Sequence, residues 1–313
     1  MKVTVVGAGN VGATCADVLA YKEIANEIVL VDIREGFAEG KALDIWQKAP
    51  IDLYDARTIG STSDYSKTAN SDIVVITSGL PRKPGMTRDD LIATNAQIVT
   101  SVTESIIAHS PNAIVIIVSN PLDVMTYAAH VVSKLPRTKL IGMAGILDTA
   151  RYRAFLAEAL NVSPKDIQAM ILGGHGDTMV PLPRYTTVGG IPVTELIDAE
   201  RLDAIVKRTI NGGGELVKLM GTSAWYAPGS AAAQMVEAIA KDQKRVLPVC
   251  MQLDGEYGIK DCYLGVPVIL GKNGVERVIE LQLNDAERAL LETSRKHVKD
   301  VMNVFDNLKK TVA

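Results

Sequence analysis

The sequence predicts an α/β protein in which a Rossmann-type, doubly wound parallel sheet is followed by a C-terminal α+β domain. Short β-branched runs alternate with helical stretches through the first half, the pattern of repeated strand–helix–strand units. A glycine-rich turn follows the first run, and after about residue 143 the pattern changes to hairpins and long helices. We therefore expect one domain at residues 1–143 and a second at residues 144–313.

Five apolar runs of the first half have the character of parallel strands. Their residues are continuously apolar, as expected for strands buried on both faces. The stretches between them, such as "LIATNAQIVTSVTESIIAHS" at 91–110, are amphipathic and long enough for crossover helices. The predicted strands are "KVTVV" (2–6), "EIVLVDI" (27–33), "SDIVVIT" (71–77), "NAIVIIVS" (112–119) and "TKLIGM" (138–143).

The second half carries different signals. "RYTTVGGIPV" (184–193) is punctuated by Gly-Gly and predicts a hairpin, and "GVPVILGKNGVERVIEL" (265–281) predicts a second antiparallel pair around "KNG". A long helix from about Asp285 to Leu308 closes the chain. No low-complexity linker separates the halves, so we expect the two domains to be tightly joined.

The composition excludes several classes of function. The 313 residues carry a net charge of -3 without a basic block, which argues against nucleic acid and anionic membranes as partners. The longest apolar runs, such as "AIVIIV" at 113–118, are far shorter than the ~20 residues of a membrane span. A strand-like run that starts at Lys2 leaves no room for a signal or transit peptide, so we expect a cytoplasmic protein.

Three widely spaced cysteines form no CxxC pair and predict reduced thiols rather than a disulfide framework or a zinc site. Cys15 lies on an apolar helix face and is expected to be an inert core thiol. The other two cysteines are Cys250 and Cys262.

The segment "VVGAGNVGAT" has glycines in GxGxxG spacing directly after a predicted strand and at the start of a predicted helix, the context in which this motif binds dinucleotides. Gly7 permits the tight turn, Gly9 lets the backbone approach a pyrophosphate, and Gly12 lets helix and strand pack closely. The helix N-terminus offers free N–H groups to the phosphates. The predicted cofactor loop comprises Gly7, Ala8, Gly9, Asn10, Val11 and Gly12.

Asp32 ends the second predicted strand, twenty residues after Gly12. A carboxylate there accepts hydrogen bonds from the adenosine ribose hydroxyls and repels a 2′-phosphate, which favours NAD over NADP. The alternatives are a 2′-phosphate bound by the nearby Arg34 and a glycine turn that binds no ligand. The sequence predicts NAD as the cofactor.

The catalytic groups have to come from residues outside several common motifs. No tyrosine is followed four residues later by lysine, and the chain contains no GxxxxGK[ST] loop, GxSxG elbow or HExxH helix. The proline-rich segment "LPRKPGMTRDDL" at 80–91 instead brings Arg82, Lys83 and Arg88 near the carboxyl end of the sheet, where ligands bind. It is either a solvated basic loop or a lid that closes over a ligand.

A second pair of charged residues lies in "AGILDTARYR" at 144–153, which predicts the start of a helix. Asp148 and Arg151 are three residues apart and therefore share one helical face. They form either a surface ion pair or two groups that diverge toward different partners in one pocket.

The segment "GGHGDTMVP" at 173–181 surrounds His175 with glycines. Histidine is the side chain that titrates near neutrality, so His175 is the best candidate for an acid–base group. We expect the glycines to let ligands approach its ring without interference from Cβ atoms. The remaining histidines have the positions of structural or surface residues: His109, His130 and His297.

The segments "GAGNVG", "LPRKPGMTRDDL", "VSNPLDVMTY", "GMAGILDTARYR" and "GGHGDTMVPLPRYTTVGGIPV" together resemble the lactate/malate dehydrogenase family, specifically its bacterial malate dehydrogenases of the lactate-dehydrogenase-like group. The resemblance covers essentially the whole chain in order and spacing. It implies a reversible, NAD-dependent oxidation of (S)-malate to oxaloacetate, with no metal, by a first domain that binds NAD and a second that binds the substrate.

The resemblance also implies roles for single residues. His175 would donate and accept the proton of the substrate's C2 oxygen, and Asp148, rather than the adjacent Asp177, would bind its far ring nitrogen. Arg151 would bind the C1 carboxylate in a bidentate fork, and Arg88 would polarise the carbonyl. Asn120 would hydrogen-bond the substrate. Further expected cofactor contacts are Asn95, Val118, Ser119 and Asn120.

Arg82 bears on the choice of substrate. In lactate-specific relatives this loop position resembles a glutamine, whereas an arginine would meet the second carboxylate of malate or oxaloacetate, whose unpaired burial costs several kcal/mol. The alternatives are an L-lactate or another 2-hydroxy acid dehydrogenase and, from a different class, a non-catalytic NAD-binding sensor.

The resemblance further implies a small dicarboxylate as the binding partner and a place in the tricarboxylic acid cycle. It implies a homotetramer, with a homodimer as the alternative. No nucleic acid or membrane partner is expected.

Overall fold

The computed structural model describes residues 1–81 and 87–312, without the side chains of Arg88 and of residues 309–312. Its first half alternates parallel strands with helices, as the sequence predicts. The strands are β1 (Lys2–Val6), β2 (Glu27–Asp32), β3 (Arg57–Thr62), β4 (Ile73–Ile76), β5 (Ile114–Ile117) and β6 (Leu140–Gly142). The helices are α1 (Asn10–Tyr21), α2 (Phe37–Asp52), α3 (Arg88–His109) and α4 (Leu122–Ser133).

The second half begins with a helix and combines short and long antiparallel strands. Its helices are α5 (Gly145–Leu160), α6 (Ala199–Met220), α7 (Tyr226–Ala240) and α8 (Asp285–Val312). Its short strands are β7 (Ile167–Gln168), β8 (Ile171–Leu172), β9 (Val180–Pro181), β10 (Thr187–Val188) and β11 (Ile191–Pro192). Its longer strands are β12 (Arg245–Asp254), β13 (Lys260–Gly271) and β14 (Gly274–Val278).

A single mixed sheet crosses both halves of the described chain, in the order β14-β13-β12-β6-β5-β4-β1-β2-β3. Strands β1 to β6 are parallel, and β12 joins β6 antiparallel through the pair Cys250 and Gly142. The second half therefore extends the sheet of the first, in addition to forming the small sheets β11-β10-β7 and β8-β9. The predicted doubly wound α/β fold is confirmed.

The five predicted strands are confirmed as β1, β2, β4, β5 and β6, and both predicted hairpins form, as β10–β11 and β13–β14. Strand β3 escaped prediction because "RTIGST" contains a single large apolar residue. Its Gly60 makes the close packing of α2 possible, since a Cβ there would lie 2.2 Å from the Glu39 Cα. Helix α8 begins at Asp285, as predicted, and continues past Leu308 to Val312.

The core is continuous across the sheet and takes in Val5 of β1, Ile116 of β5, Val266 of β13 and Phe305 of α8. The three cysteines are buried free thiols, and burial raises the pKa of Cys15 to about 12. Among residues 1–81 and 87–312, no helix combines the length and apolar character that a membrane span requires. Within the same residues, no three His, Cys, Asp or Glu side chains converge as a metal-binding group.

Candidate active site

A cleft of about 680 Å³ opens at the carboxyl ends of the parallel strands. Strands β2 and β3 lie to one side of β1 and strands β4 to β6 to the other, so the loops after β1 and β4 diverge and leave a crevice between them. Gly9 after β1, Gly79 after β4 and Asn120 after β5 line this cleft together with Arg151 and His175. The topology thus brings residues that are distant in sequence to one place.

The glycine loop packs as its spacing predicts. Gly7 has a φ of +99°, and a Cβ there would lie 2.7 Å from the Thr77 Oγ1. At Gly12 a Cβ would lie 1.8 Å from the Gly7 carbonyl oxygen, so a side chain at this position is excluded. At Gly9, the N-cap residue of α1, no described atom lies within 4 Å of the Cβ position, and a glycine has no side chain to cap the helix. The first turn of α1 therefore presents backbone N–H groups to the cleft.

Asp32 ends β2, and its carboxylate holds the glycine loop. Its Oδ2 accepts the Ala8 N–H at 2.8 Å, and its Oδ1 accepts the Arg34 N–H at 3.0 Å. Each oxygen retains a lone pair that can accept a further hydrogen bond. The Arg34 guanidinium stacks on the Phe37 ring, 3.3 Å from its centroid. Arg34, the alternative candidate for binding a 2′-phosphate, is therefore already engaged with an aromatic side chain.

Asn95 lies in α3 beneath the cleft, and its amide group is largely occupied within the protein. Its Oδ1 accepts the Leu80 N–H at 2.8 Å, and its Nδ2 donates to the Asn120 and Leu80 carbonyl oxygens at 2.7 and 3.1 Å. Because both amide hydrogens are engaged, the side chain fixes the loops that follow β4 and β5. Val118 and Ser119 line the cleft from the end of β5, and the Ser119 hydroxyl donates to the Ser78 carbonyl oxygen.

His175 and Asp148 form a hydrogen-bonded pair, although they lie twenty-seven residues apart in the chain. The His175 Nδ1 lies 2.8 Å from the Asp148 Oδ2, and Asp148 is 1% exposed. The Asp148 Oδ1 also accepts the Arg151 Nη1 at 3.2 Å. The ion pair of Asp148 and Arg151 therefore lies at the cleft, with Asp148 buried and Arg151 partly buried, and is not a surface pair. With Nδ1 bound to the carboxylate, Nε2 is the nitrogen left to exchange a proton with a ligand. Asp177 is exposed at the rim.

The environment of His175 favours its protonated form. Burial alone lowers the pKa of the imidazole, but the charge and hydrogen bond of Asp148, together with the charge of Asp123, more than offset this effect. The Arg151 charge acts in the opposite direction. The net result is a His175 pKa above its ordinary value of 6.5.

Two of the three glycines around His175 have a different role from the predicted one. A Cβ at Gly173, which has a φ of +85°, would lie 2.8 Å from the Ser294 Oγ, and one at Gly174 would lie 2.8 Å from the Val298 Cγ2. These two glycines therefore allow the loop to pack on α8, and the expectation that they open a path for ligands is wrong. Gly176 fits that expectation, because no described atom lies within 4 Å of its Cβ position.

Sequence reasoning missed Asp123, in the first turn of α4. Its Oδ2 accepts the backbone N–H of His175 at 2.9 Å, and its Oδ1 is buried with no hydrogen-bond partner among the described residues. Burial raises the pKa of this carboxyl to about 6, against the charge and N–H of His175. The signal in the sequence was a lone acid within the apolar segment "PLDVMTYAAHVV".

Of the three predicted substrate-binding arginines, only Arg151 has a described side chain. Arg151 lines the cleft, and Gly212 of α6 gives its side chain room, since a Cβ there would lie 3.2 Å from the Arg151 Cδ. Arg88 begins α3 after a capping box formed by Thr87 and Asp90, and its side chain lies outside the described part of the structure. Arg82 lies outside the described residues altogether.

The wall of the cleft opposite the sheet was also missed. It is formed by the second half of α6 and the turn into α7, and its residues belong to no sequence motif that predicts a binding site. They include Ile210, Asn211, Gly213, Gly214, Val217, Thr222, Ser223 and Trp225.

Two family models match the chain. The model of the lactate/malate dehydrogenase NAD binding domain matches residues 1–142, and that of the alpha/beta C-terminal domain matches residues 146–308. The chain belongs to the lactate/malate dehydrogenase family. The membership that the sequence motifs predicted is thereby confirmed, and NAD is the cofactor of this family's first domain.

Members of the lactate/malate dehydrogenase family resemble the chain over its full length. The malate dehydrogenase of Cytophaga hutchinsonii is 78% identical over 308 residues, which are 98% of this chain and 99% of that protein. The structure of the malate dehydrogenase from Salinibacter ruber has a TM-score of 0.96 at 54% identity and covers 100% of both chains. A lactate dehydrogenase from Cryptosporidium parvum, solved with lactic acid and nicotinamide adenine dinucleotide, has a TM-score of 0.94 at 40% identity over 98% of both chains. Because both kinds of dehydrogenase share this fold, the choice of substrate depends on individual side chains.

Proposed function

We propose that this chain catalyses the reversible, NAD-dependent oxidation of (S)-malate to oxaloacetate. The observation that carries the proposal is the His175–Asp148 pair, which lies in the same cleft as the glycine loop and Arg151. The cleft thus combines an acid–base group, a cation for a carboxylate and a site for a dinucleotide. The 78% identity to the malate dehydrogenase of Cytophaga hutchinsonii supports the same assignment.

The described residues fit NAD. The uncapped N-terminus of α1 and the open position at Gly9 suit a pyrophosphate, and the lone pairs of Asp32 suit ribose hydroxyls. Ala8, Asn10 and Val11 would border the phosphates, and Val118 and Ser119 would border the nicotinamide end. NAD, when bound, supplies the two-electron chemistry at the C2 carbon of the substrate.

His175 exchanges the proton that this chemistry releases. In malate oxidation its Nε2 takes the proton of the C2 hydroxyl, and in oxaloacetate reduction it returns a proton to the C2 oxygen. Asp148 holds Nδ1–H and stabilises the imidazolium that forms. The Arg151 guanidinium donates to the other Asp148 oxygen, so one carboxylate orients both the acid–base group and the cation that would bind the substrate.

The substrate's own charges are matched by arginines. Arg151 would bind the C1 carboxylate, Arg88 would polarise the C2 carbonyl, and Asn120 would hydrogen-bond the substrate. For Arg82 the support is its position in the sequence, shortly after the residues that form β4. There it would neutralise the second carboxylate of a dicarboxylate substrate, a group that lactate and pyruvate lack.

Reduction of oxaloacetate and pyruvate with NADH tests the choice of substrate. We expect a kcat/KM for oxaloacetate that exceeds that for pyruvate by at least 100-fold, because pyruvate has no second carboxylate to pair with Arg82, and a buried charge left without its partner costs about 3 kcal/mol or more. The Arg82→Gln variant should lose most of this preference, because its kcat/KM for oxaloacetate should fall. A higher kcat/KM for pyruvate in the unmodified protein would identify a lactate dehydrogenase instead.

The His175→Asn variant separates an enzyme from a sensor that binds NAD without turnover. We expect turnover to fall by about 100-fold or more, while NADH binding, followed by its fluorescence, is retained. If the unmodified protein binds NADH but reduces neither oxaloacetate nor pyruvate, the chain is a binding module.

We further propose a homotetramer, with a homodimer as the alternative, acting in the cytoplasm as part of the tricarboxylic acid cycle. Support for assembly comes from large apolar side chains that are exposed on α2 and around the turn between α6 and α7. They include Leu43, Ile51, Leu53, Leu219 and Tyr226. Sedimentation equilibrium gives the number of chains directly, and a monomer at micromolar concentration would contradict the proposal.

A further inference from the structure

Asp123 approaches His175 from the side of α4 and α8. A small cavity of about 40 Å³ separates these helices from the loop that carries His175, and Asp123, Thr178, His297 and Val301 are among its lining residues. Asp123 is 8% exposed and enters from the first turn of α4, where the helix dipole favours a negative charge. A carboxylate is thus placed behind the acid–base residue, outside the main cleft.

Two contacts tie this carboxylate to the loop. The Asp123 Oδ2 accepts the His175 N–H at 2.9 Å. A Cβ at Gly174 would lie 3.2 Å from the same oxygen, so glycine at this position allows the carboxylate its approach. The Oδ1 has no partner among the described residues, and the Cys250 thiol makes a weak hydrogen bond to the carboxyl, so the backbone bond to His175 is the main interaction that holds the side chain on the loop. Its loss would free the loop to shift.

The charges that face His175 come from several elements. Asp148 and Arg151 approach from α5, Asp123 from α4, and Asp177 lies on the same loop in solvent. Two further groups lie nearby: His297 of α8, which lines the small cavity, and Cys250 of β12, a thiol whose pKa is raised by burial and by Asp123.

We propose that Asp123 is a positioning residue for His175, whose carboxylate fixes the loop through its amide and stabilises the protonated imidazole by its charge. The proposal rests on the proposed function for its kinetic test. The charge contribution agrees in direction with the raised pKa of His175, to which the Asp123 carboxylate contributes. The two contributions are separable, because asparagine keeps the acceptor oxygen and removes the charge.

The Asp123→Asn variant tests the charge. We expect the pH limb of kcat/KM for oxaloacetate reduction to move down by about one pH unit, because the loss of a nearby anion favours neutral His175. The kcat at low pH should stay within about threefold of the unmodified protein. The Asp123→Ala variant, which also removes the acceptor, should lose about tenfold or more in kcat at every pH. Asp300→Asn, which removes an exposed carboxylate from α8, serves as the control with an unchanged profile.

An NMR titration of the His175 ring makes the test independent of turnover. The His175→Asn variant identifies its signal among the four histidines. A lower His175 pKa in Asp123→Asn supports the proposal even if the protein acts on another substrate. An unchanged His175 pKa in a folded Asp123→Asn variant overturns it, as does a uniform loss of activity without any shift of the pH limb.

Discussion

At the scale of the residue, His175 depends on charges that two separate helices, α4 and α5, bring to it. An isolated buried imidazole would be neutral at physiological pH, because burial disfavours the charged form. Here Asp148 and Asp123 reverse that effect and keep the pKa above 6.5. In the proposed reaction, His175 would therefore be able to give a proton to a substrate oxygen near neutral pH, as reduction of a keto acid requires.

The raised pKa predicts opposite pH profiles for the two directions. Reduction of oxaloacetate requires protonated His175, so its kcat/KM should be constant at low pH and fall about tenfold per unit above the pKa. Oxidation of malate requires neutral His175, so its kcat/KM should rise with pH and level off above the same pKa. Steady-state kinetics in both directions at constant ionic strength measures this pKa. Identical profiles would show that another group carries the proton, and a midpoint below 6.5 would contradict the raised pKa of His175.

At the scale of the element, α6 forms a wall of the cleft with three consecutive glycines at positions 212–214. Gly212 packs against Arg151, whereas no described atom lies within 4 Å of the Cβ positions of Gly213 and Gly214. Glycine within a helix costs about 1 kcal/mol relative to alanine. Gly213 and Gly214 line the cleft, so their small size leaves room there but lowers the stability of the helix.

This arrangement predicts opposite effects on stability and catalysis. Gly213→Ala and Gly214→Ala should each stabilise the protein by about 1 kcal/mol and raise its melting temperature, while the KM for oxaloacetate rises severalfold. Asn303→Ala, at an exposed position of α8, should stabilise the fold without altering KM. Differential scanning calorimetry and steady-state kinetics on the three variants suffice. Unchanged KM values in both glycine variants would mean that the cleft does not need this space.

Some of the elements and contacts could be predicted from the sequence, and others could not. Strands such as β4 and β5 were predictable because apolar runs of this length are buried on both faces of a parallel sheet. Strand β3, with one large apolar residue, gave no such signal. The contact between His175 and Asp148 depends on the path of the chain between β6 and β8, so it came from family resemblance and not from spacing. Asp123 was missed because a backbone hydrogen bond from a distant loop leaves no sequence pattern.

At the scale of the whole molecule, the two halves share a sheet and a core. Strand β12 pairs with β6, and the His175 N–H of the second half donates to the Asp123 Oδ2 of the first at 2.9 Å. The cleft is therefore lined by groups whose relative positions are fixed by hydrogen bonds across the halves. Such a structure gains little from one half folding alone, because each half would expose part of the common core.

This continuity predicts a single unfolding transition, and the two tryptophans allow a direct test. Trp46 lies in α2 of the first half and Trp225 precedes α7 of the second. The Trp46→Phe and Trp225→Phe variants each leave one reporter, and we expect both fluorescence midpoints in guanidinium chloride to coincide with the far-UV circular dichroism midpoint. All samples need the same protein concentration, because assembly stabilises the folded chain. Equal dichroism midpoints for the two variants control for effects of the substitutions, and a Trp46 midpoint clearly separate from that of Trp225 would show that the halves unfold independently despite their common sheet.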